Sequence, residues 1–185
     1  GCGFMYLFMQ SLGVRRSGCV LSSVVFMFNG YFMGHLYAGH LSFVQNYIWI
    51  PLILFFLKRA VEKGSLRDAT GAGVSLGLQI LGGFPQIAFY TILASFLFVL
   101  IGWALGRKEK GNVSAVKAGA GWVLFVLLGF ALAAVQVLPT YEFTTLSTRG
   151  GGISYDMATY ESLHTKELLA FLLPDLFGSA LDSTY

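Results

Sequence analysis

The chain has 185 residues, of which 56% are hydrophobic and only 11% charged, with a mean hydropathy of +0.70. A water-soluble domain carries roughly 25% charged residues to solvate its surface, so lipid must be the solvent for much of this chain. The formal net charge of +3 does not indicate nucleic acid as a partner, because the basic residues sit in short loops between apolar runs rather than on one patch.

Taken in order, the apolar runs predict six helical segments. Residues 1–12 are apolar with no charged stretch before them and no small-residue cleavage site, which reads as the second half of a membrane helix and not as a signal peptide. The next segments run from about Cys19 to Tyr37, Leu41 to Leu57, Ala69 to Gly83, Gln86 to Leu105 and Ala118 to Leu138. A span needs about 20 apolar residues. The second, fifth and sixth segments meet that length, whereas the third and fourth are short. Cys2 and Cys19 fall near opposite ends of successive segments and lack CxxC spacing, so they read as apolar fillers rather than a disulfide or a metal site.

Charge placement fixes an orientation for this scheme. If the segments alternate, ten of the twelve basic residues lie in three loops on one side: Arg15, Arg16, Lys58, Arg59, Lys63, Arg67, Arg107, Lys108, Lys110 and Lys117. Three of the nine acids join them, and the opposite side keeps Arg149 and Lys166 with the other six. The Lys/Arg bias of short loops makes the first side cytoplasmic. Trp49, Trp103 and Trp122 fall near segment ends, as an interfacial belt would place them.

The fourth segment carries Ala69, Gly73 and Gly77 at intervals of four, one small-residue face that lets helix backbones approach closely in lipid. A hinge is the alternative use of those glycines. Gly82–Gly83–Phe84–Pro85 then makes a tight turn, because Gly accepts positive φ and Pro cannot continue the preceding helix. Beyond Leu138 the chain turns polar and Gly-rich. An amphipathic stretch follows from about Thr165 to Leu173, with Glu167 in its first turn and Pro174 as its stop. The expected fold class is therefore all-α. A polytopic transmembrane helical bundle over residues 1–138 precedes a long non-cytoplasmic loop, 139–185, containing a short amphipathic helix.

No segment holds a charge at mid-depth. Asn29, Gln79 and Gln136 are the deepest polar groups, and such amides either tie helices together or contact a ligand. His35 and His40 flank the turn between the second and third segments. Their spacing of five fits a helical metal pair poorly, and no acid lies in the turn to complete a ligand set. Two imidazoles there could hydrogen-bond a phosphate or sugar, or exchange a proton; equally, they suit the lipid headgroup boundary. Past the sixth segment come Tyr141, Glu142, Ser147 and Arg149. The guanidinium of Arg149 is suited to bidentate phosphate contact, and its alternative is a structural pair with Glu142 or Asp156. Signatures such as a Walker loop, HExxH or a DxD-type carboxylate pair do not occur.

The run from Gly30 to His40 with Trp49–Ile50–Pro51 resembles the YfhO-type bacterial membrane proteins. So do the turn Gly83–Phe84–Pro85–Gln86 with Phe89–Tyr90 behind it, and the run from Gln136 to Glu142 with Ser147 and Arg149. Pro174–Asp175–Leu176–Phe177–Gly178 completes the set, and the pieces stand in the family's order over nearly the whole chain. His164–Thr165–Lys166–Glu167 departs from the family pattern, in which a Pro opens the amphipathic helix. That family is similar to the GT-C integral membrane glycosyltransferases, which move a sugar from a polyprenyl-phosphate donor to an acceptor on the outer face of the membrane. The resemblance implies a bacterial inner-membrane protein and a catalytic acid in a first outer loop that this chain does not include. It implies no cofactor in these residues, and leaves a divalent metal in the whole protein open. It also implies a donor-phosphate contact from Arg149, and the other candidate substrate contacts are Glu142, Tyr141, His35, His40 and Gln86. A flippase or transporter for lipid-linked sugar, or a non-catalytic envelope scaffold, are the rival readings.

Overall fold

The computed structural model describes residues 1–106, 114–147, 151–152, 154–160, 162, 165–173 and 176–177. Among these the chain is helical, without a strand, and it divides into two compact units, Gly1–Thr140 and Tyr141–Tyr185. The first unit is an all-α membrane bundle. Its helices are α1 (Cys2–Ser11), α2 (Arg16–Phe28), α3 (Gly30–Tyr37), α4 (Leu41–Tyr47), α5 (Ile50–Lys63), α6 (Leu66–Leu81), α7 (Pro85–Gly106) and most of α8 (Ala115–Thr145). Four stretches are long and apolar enough to cross a membrane: Arg16–Tyr37, Leu41–Lys63, Pro85–Ala104 and Ala115–Thr145. They present large apolar side chains outward, among them Leu21 and Phe28 on α2, Phe89 and Ile101 on α7, and Val135 on α8. Lipid satisfies such faces where water would not.

All six expected segments fold as helix, with three revisions. The second and third are each a pair of helices. Asn29 breaks the second: its Oδ1 accepts from the Phe32 N–H at 2.8 Å as the N-cap of α3, and its Nδ2 donates to the Phe26 carbonyl at 2.8 Å. Asn at the helix N-cap satisfies an amide that the helix cannot, so the break costs little. In the third, Pro51 sits in the first turn of α5, where its missing N–H and fixed φ are tolerated. The sixth segment does not stop at Leu138. Helix α8 runs through Pro139 to Thr145, with the Thr140 hydroxyl donating to the Gln136 carbonyl at 2.7 Å. Hydropathy ends at Leu138 but the helix does not, although Pro139 removes one helix bond and crowds the carbonyl four residues back.

The short fourth segment, α6, is the buried centre. Ser65 caps it by accepting from the Asp68 N–H at 3.3 Å, and the Asp68 carboxylate meets Arg59 Nε of α5 at 3.0 Å. That approach is an ion pair whose N–H does not lie along a hydrogen-bond direction. Sixteen residues reach about 24 Å, short of the roughly 30 Å hydrocarbon core. Nine of the sixteen are buried, so α6 is solvated by protein and need not match the bilayer.

Its small-residue face packs as the four-residue spacing predicts. A Cβ on Gly73 would stand 2.9 Å from Leu128 Cβ and 3.1 Å from the Phe125 carbonyl oxygen. One on Gly77 would stand 2.9 Å from Leu132 Cβ. Helix α8 returns the contact through Gly129, where a Cβ would meet Leu76 Cδ2 at 2.5 Å. The two helices approach because each glycine makes room for a leucine of the other, Gly73 and Gly77 for Leu128 and Leu132, and Gly129 for Leu76. Trp122 departs from the expected belt: it packs against the core and its Nε1 donates to Ser95 Oγ of α7 at 3.0 Å.

The first unit has two distinct ends. Phe4 meets the Trp49 ring at 5.5 Å and Phe8 meets Phe98 at 6.0 Å, so α1 runs alongside α5 and delivers Arg15 and Arg16 to the end that bears Gly64. Lys117 and Ala118 at the start of α8 line a small space with Gly64 and Ser65 at the same end. At the other end the turn Tyr37–Leu41 meets the turn Gly82–Pro85, with the Phe43 and Phe84 rings 5.9 Å apart. The basic loops thus share one end of the bundle, except 107–113, which lies outside the described residues.

In the second unit Ser154 caps the short α9 (Tyr155–Thr159), accepting from the Met157 N–H at 3.3 Å. Thr165–Phe171 winds as a 3₁₀ helix rather than an α-helix, and Leu168, Leu169, Leu172 and Leu173 are exposed.

Candidate functional site

The end away from the basic loops gathers the chemistry. Helix α3 ends at Tyr37, and Gly39 takes the left-handed conformation, φ 75°. Two bonds close the turn: the Gly39 N–H donates to the Leu36 carbonyl at 3.1 Å, and the His40 N–H reaches back to the His35 carbonyl at 2.9 Å. This is a Schellman closure, which brings the third residue from the helix end against the second residue beyond the cap. Those residues are His35 and His40, and their ring centroids stand 5.3 Å apart. A spacing that is poor on a continuous helix is the pairing distance across this turn.

The imidazoles rest on aromatic rings. His35 stacks on the buried Phe43 at 3.9 Å between centroids and lies 4.4 Å from the Tyr31 ring. Phe43 is held in turn by Tyr47 and Phe84. His35 Nδ1 is 3.0 Å from the Tyr31 carbonyl oxygen, which can only accept. The proton of neutral His35 therefore sits on Nδ1, and Nε2 keeps its lone pair for an incoming hydroxyl or acidic proton. His40 is exposed beside it.

Below this shelf lies a buried polar layer. At the break between α4 and α5 the Asn46 carbonyl loses its regular helical partner. Gln79 Nε2 of α6 donates to it at 3.0 Å and also to Thr91 Oγ1 of α7 at 2.9 Å. The Thr91 hydroxyl passes its own proton to the Ile87 carbonyl, and Asn46 Nδ2 donates to the Ser42 carbonyl, both at 2.8 Å. Gln79 thus ties three elements together and supplements the long bond of 3.4 Å from the Trp49 N–H to the Asn46 carbonyl, in a medium where a poorly satisfied carbonyl is costly. Asn46 Oδ1 and Gln79 Oε1 are buried without a donor among the described residues. Gly82 makes room for this layer, since a Cβ there would come within 2.6 Å of Asn46 Nδ2.

Of the residues expected at a site, the structure brings His35 and His40 together. Gln86 turns along its own helix, its Nε2 donating to Tyr90 Oη at 2.8 Å. Tyr141 and Glu142 are exposed on the last turns of α8 in the second unit, not in a loop, and their carbonyls accept from the hydroxyls of Thr144 and Thr145. Arg149 lies outside the described residues. Asn29 caps a helix and Gln79 joins helices, so two of the three deep amides have structural work. Among the described residues no three of His, Cys, Asp and Glu gather as metal ligands.

Sequence reasoning missed the shelf beneath the histidines, Tyr31, Phe43 and Phe84, and the Ser42–Asn46–Thr91 layer. The signal for the first was Gly39 between two histidines, a helix C-terminus in the making. The second had no local signal, because Gln79 and Asn46 are 33 residues apart. No family model matches the chain, and neither a curated protein nor a solved structure matches it.

Proposed function

We propose that this chain is the membrane-embedded part of a glycosyltransferase that accepts a sugar from a polyprenyl-phosphate donor at the end of the bundle bearing His35 and His40. The observation that carries the reading is the imidazole pair on its aromatic shelf, with His35 Nε2 left as an acceptor. An aromatic floor suits the apolar face of a sugar ring, and an unprotonated nitrogen beside a second imidazole suits hydroxyl or phosphate recognition. The end is opposite the basic loops, so the Lys/Arg bias makes it the outer face of a bacterial inner membrane. The resemblance to the YfhO-type proteins supports the reaction class and implies a phosphate contact from Arg149, which lies outside the described residues.

The test is sugar transfer from a polyprenyl-phosphate donor by the full-length protein, with donor affinity and thermal stability measured on the same variants. His35→Ala and Arg149→Ala are each expected to weaken donor binding about ten- to hundredfold, the loss of one charge-assisted or shelf contact of about 1.5–3 kcal/mol. Arg149→Lys should recover part of the loss, because the charge remains while the bidentate fork does not. Folded variants with unchanged transfer and unchanged donor affinity would end the proposal.

A further inference from the structure

On the flank of the bundle, between α5 and α6, runs an open groove of about 880 Å³. Its walls are apolar over most of their length, formed by Trp49, Leu52 and Phe56 from α5 and by Val74 and Leu78 from α6. Its floor is small: Gly71 and Ser75 leave the α6 backbone bare, with the Ser75 hydroxyl turned inward onto the Gly71 carbonyl at 2.8 Å. At the end nearest the basic loops the lining changes to Arg59, Lys63 and Arg67, with one carboxylate, Asp68.

That carboxylate is already committed. Asp68 is buried and takes Arg59 through Nε, while the Arg59 guanidinium carbon lies 5.3 Å from the centre of the Phe55 ring. Pairing through Nε leaves the terminal nitrogens of the fork to meet a further oxyanion. Lys63 and Arg67 are exposed and, among the described residues, without an acidic partner. The mouth therefore carries an excess of positive charge that no described residue neutralises.

Length completes the match. From Trp49 to Arg59 along α5, and from Arg67 to Leu78 along α6, the helices rise about 15 Å. The hydrocarbon of one leaflet is about half of a roughly 30 Å core, so the groove spans one leaflet with its cations at the headgroup level. We propose that this groove binds an anionic phospholipid, its phosphate held by Arg59, Lys63 and Arg67 and one acyl chain laid along Phe56, Val74 and Leu78. A zwitterionic headgroup would bring a second cation to a mouth whose one carboxylate is occupied. A free phosphate would leave the apolar length uncovered. The site is separate from the histidine shelf and independent of the sugar-transfer reading.

The test is photo-cross-linking in nanodiscs holding equal amounts of phosphatidylglycerol and phosphatidylcholine. A benzophenone amino acid replaces the exposed Leu78 of the full-length protein, and adducts are identified by mass. The phosphatidylglycerol adduct is expected to exceed the phosphatidylcholine adduct at least fivefold. Lys63→Gln with Arg67→Gln should bring the two close to parity, each basic residue near a membrane surface being worth about fivefold in affinity for anionic lipid. Arg15→Gln with Arg16→Gln removes the same charge from another loop at the same end and should leave the preference in place. Val74→Trp, at an exposed position, should lower both adducts by filling the groove. Equal adducts in the unsubstituted protein, an equal loss of preference in the Arg15/Arg16 control, or an undiminished yield in Val74→Trp would each overturn the proposal.

Discussion

Helix α6 uses small residues on two faces, and the two faces end differently. Toward α8, Gly73 and Gly77 receive Leu128 and Leu132, while Gly129 of α8 receives Leu76 in return, and the space is filled from both sides. Toward α5 the helices also pack closely, but on the flank of that contact Gly71 and Ser75 lie beside Phe56, Leu52 and Trp49, and a groove remains there. A small residue does not by itself bring helices together. The partner decides whether the space it leaves is filled by a side chain or stays open to lipid.

Substitutions on these two faces should separate them, beginning with the largest effect. Gly73→Leu places several carbons where Leu128 Cβ and the Phe125 carbonyl already stand, and neither can rotate away. A loss of about 3 kcal/mol or more is expected in detergent unfolding, or failure to fold, against less than about 0.5 kcal/mol for the exposed neighbour Val74→Leu. Equal tolerance of the two would mean that α6 and α8 are not in contact.

Next comes the polar layer that anchors the far end of α6. Gln79→Met keeps the volume but leaves the Asn46 carbonyl only the long bond from the Trp49 N–H at 3.4 Å and takes the donor from Thr91, at a cost of about 1 kcal/mol. The figure is modest because the substitution also removes Gln79 Oε1, a buried acceptor without a donor among the described residues. Double-mutant coupling with Thr91→Val should be clear, and its absence would remove the Gln79–Thr91 bond from the account. Asn29→Ala, which uncaps α3, should cost a similar amount, about 1 kcal/mol, with faster amide exchange at Phe32 as the local signature.

The smallest effect is the sharpest for the comparison. Gly71→Ala would put its methyl 3.0 Å from two atoms of the Phe56 ring, at the edge of an open groove into which the ring can turn. The gain in helix propensity, up to about 1 kcal/mol in favour of Ala, offsets that contact, so a net change within about 0.5 kcal/mol is expected. Gly73→Ala, two residues on, has no such relief and should be clearly destabilising. Matching thermal shifts for the two alanine variants would erase the distinction between the closed face and the open one.

How much of this was legible beforehand depended on how local the signal was. The interval of four from Ala69 to Gly77 located a helix contact, because helical periodicity is a property of neighbours in sequence. Hydropathy found the helices, yet ran two of them together at Asn29 and again at Trp49–Pro51, since it does not register a cap or a first-turn proline. It also ended α8 seven residues early, because polarity and helicity part company after Pro139. The site was half legible. His35 and His40 could be named, but their pairing waited on recognising Gly39 as the left-handed residue of a helix C-terminus.

Composition and charge alone determined that lipid is the solvent, that the chain is helical, and which loops share an end, because each follows from what a bilayer tolerates segment by segment. The tertiary structure decided three other matters. It made the shortest helix the buried centre, joined Gln79 to a carbonyl 33 residues away, and closed one face of α6 while leaving the other open. Each depends on which side chains a partner helix presents across a contact, and no spacing within a single helix carries that information.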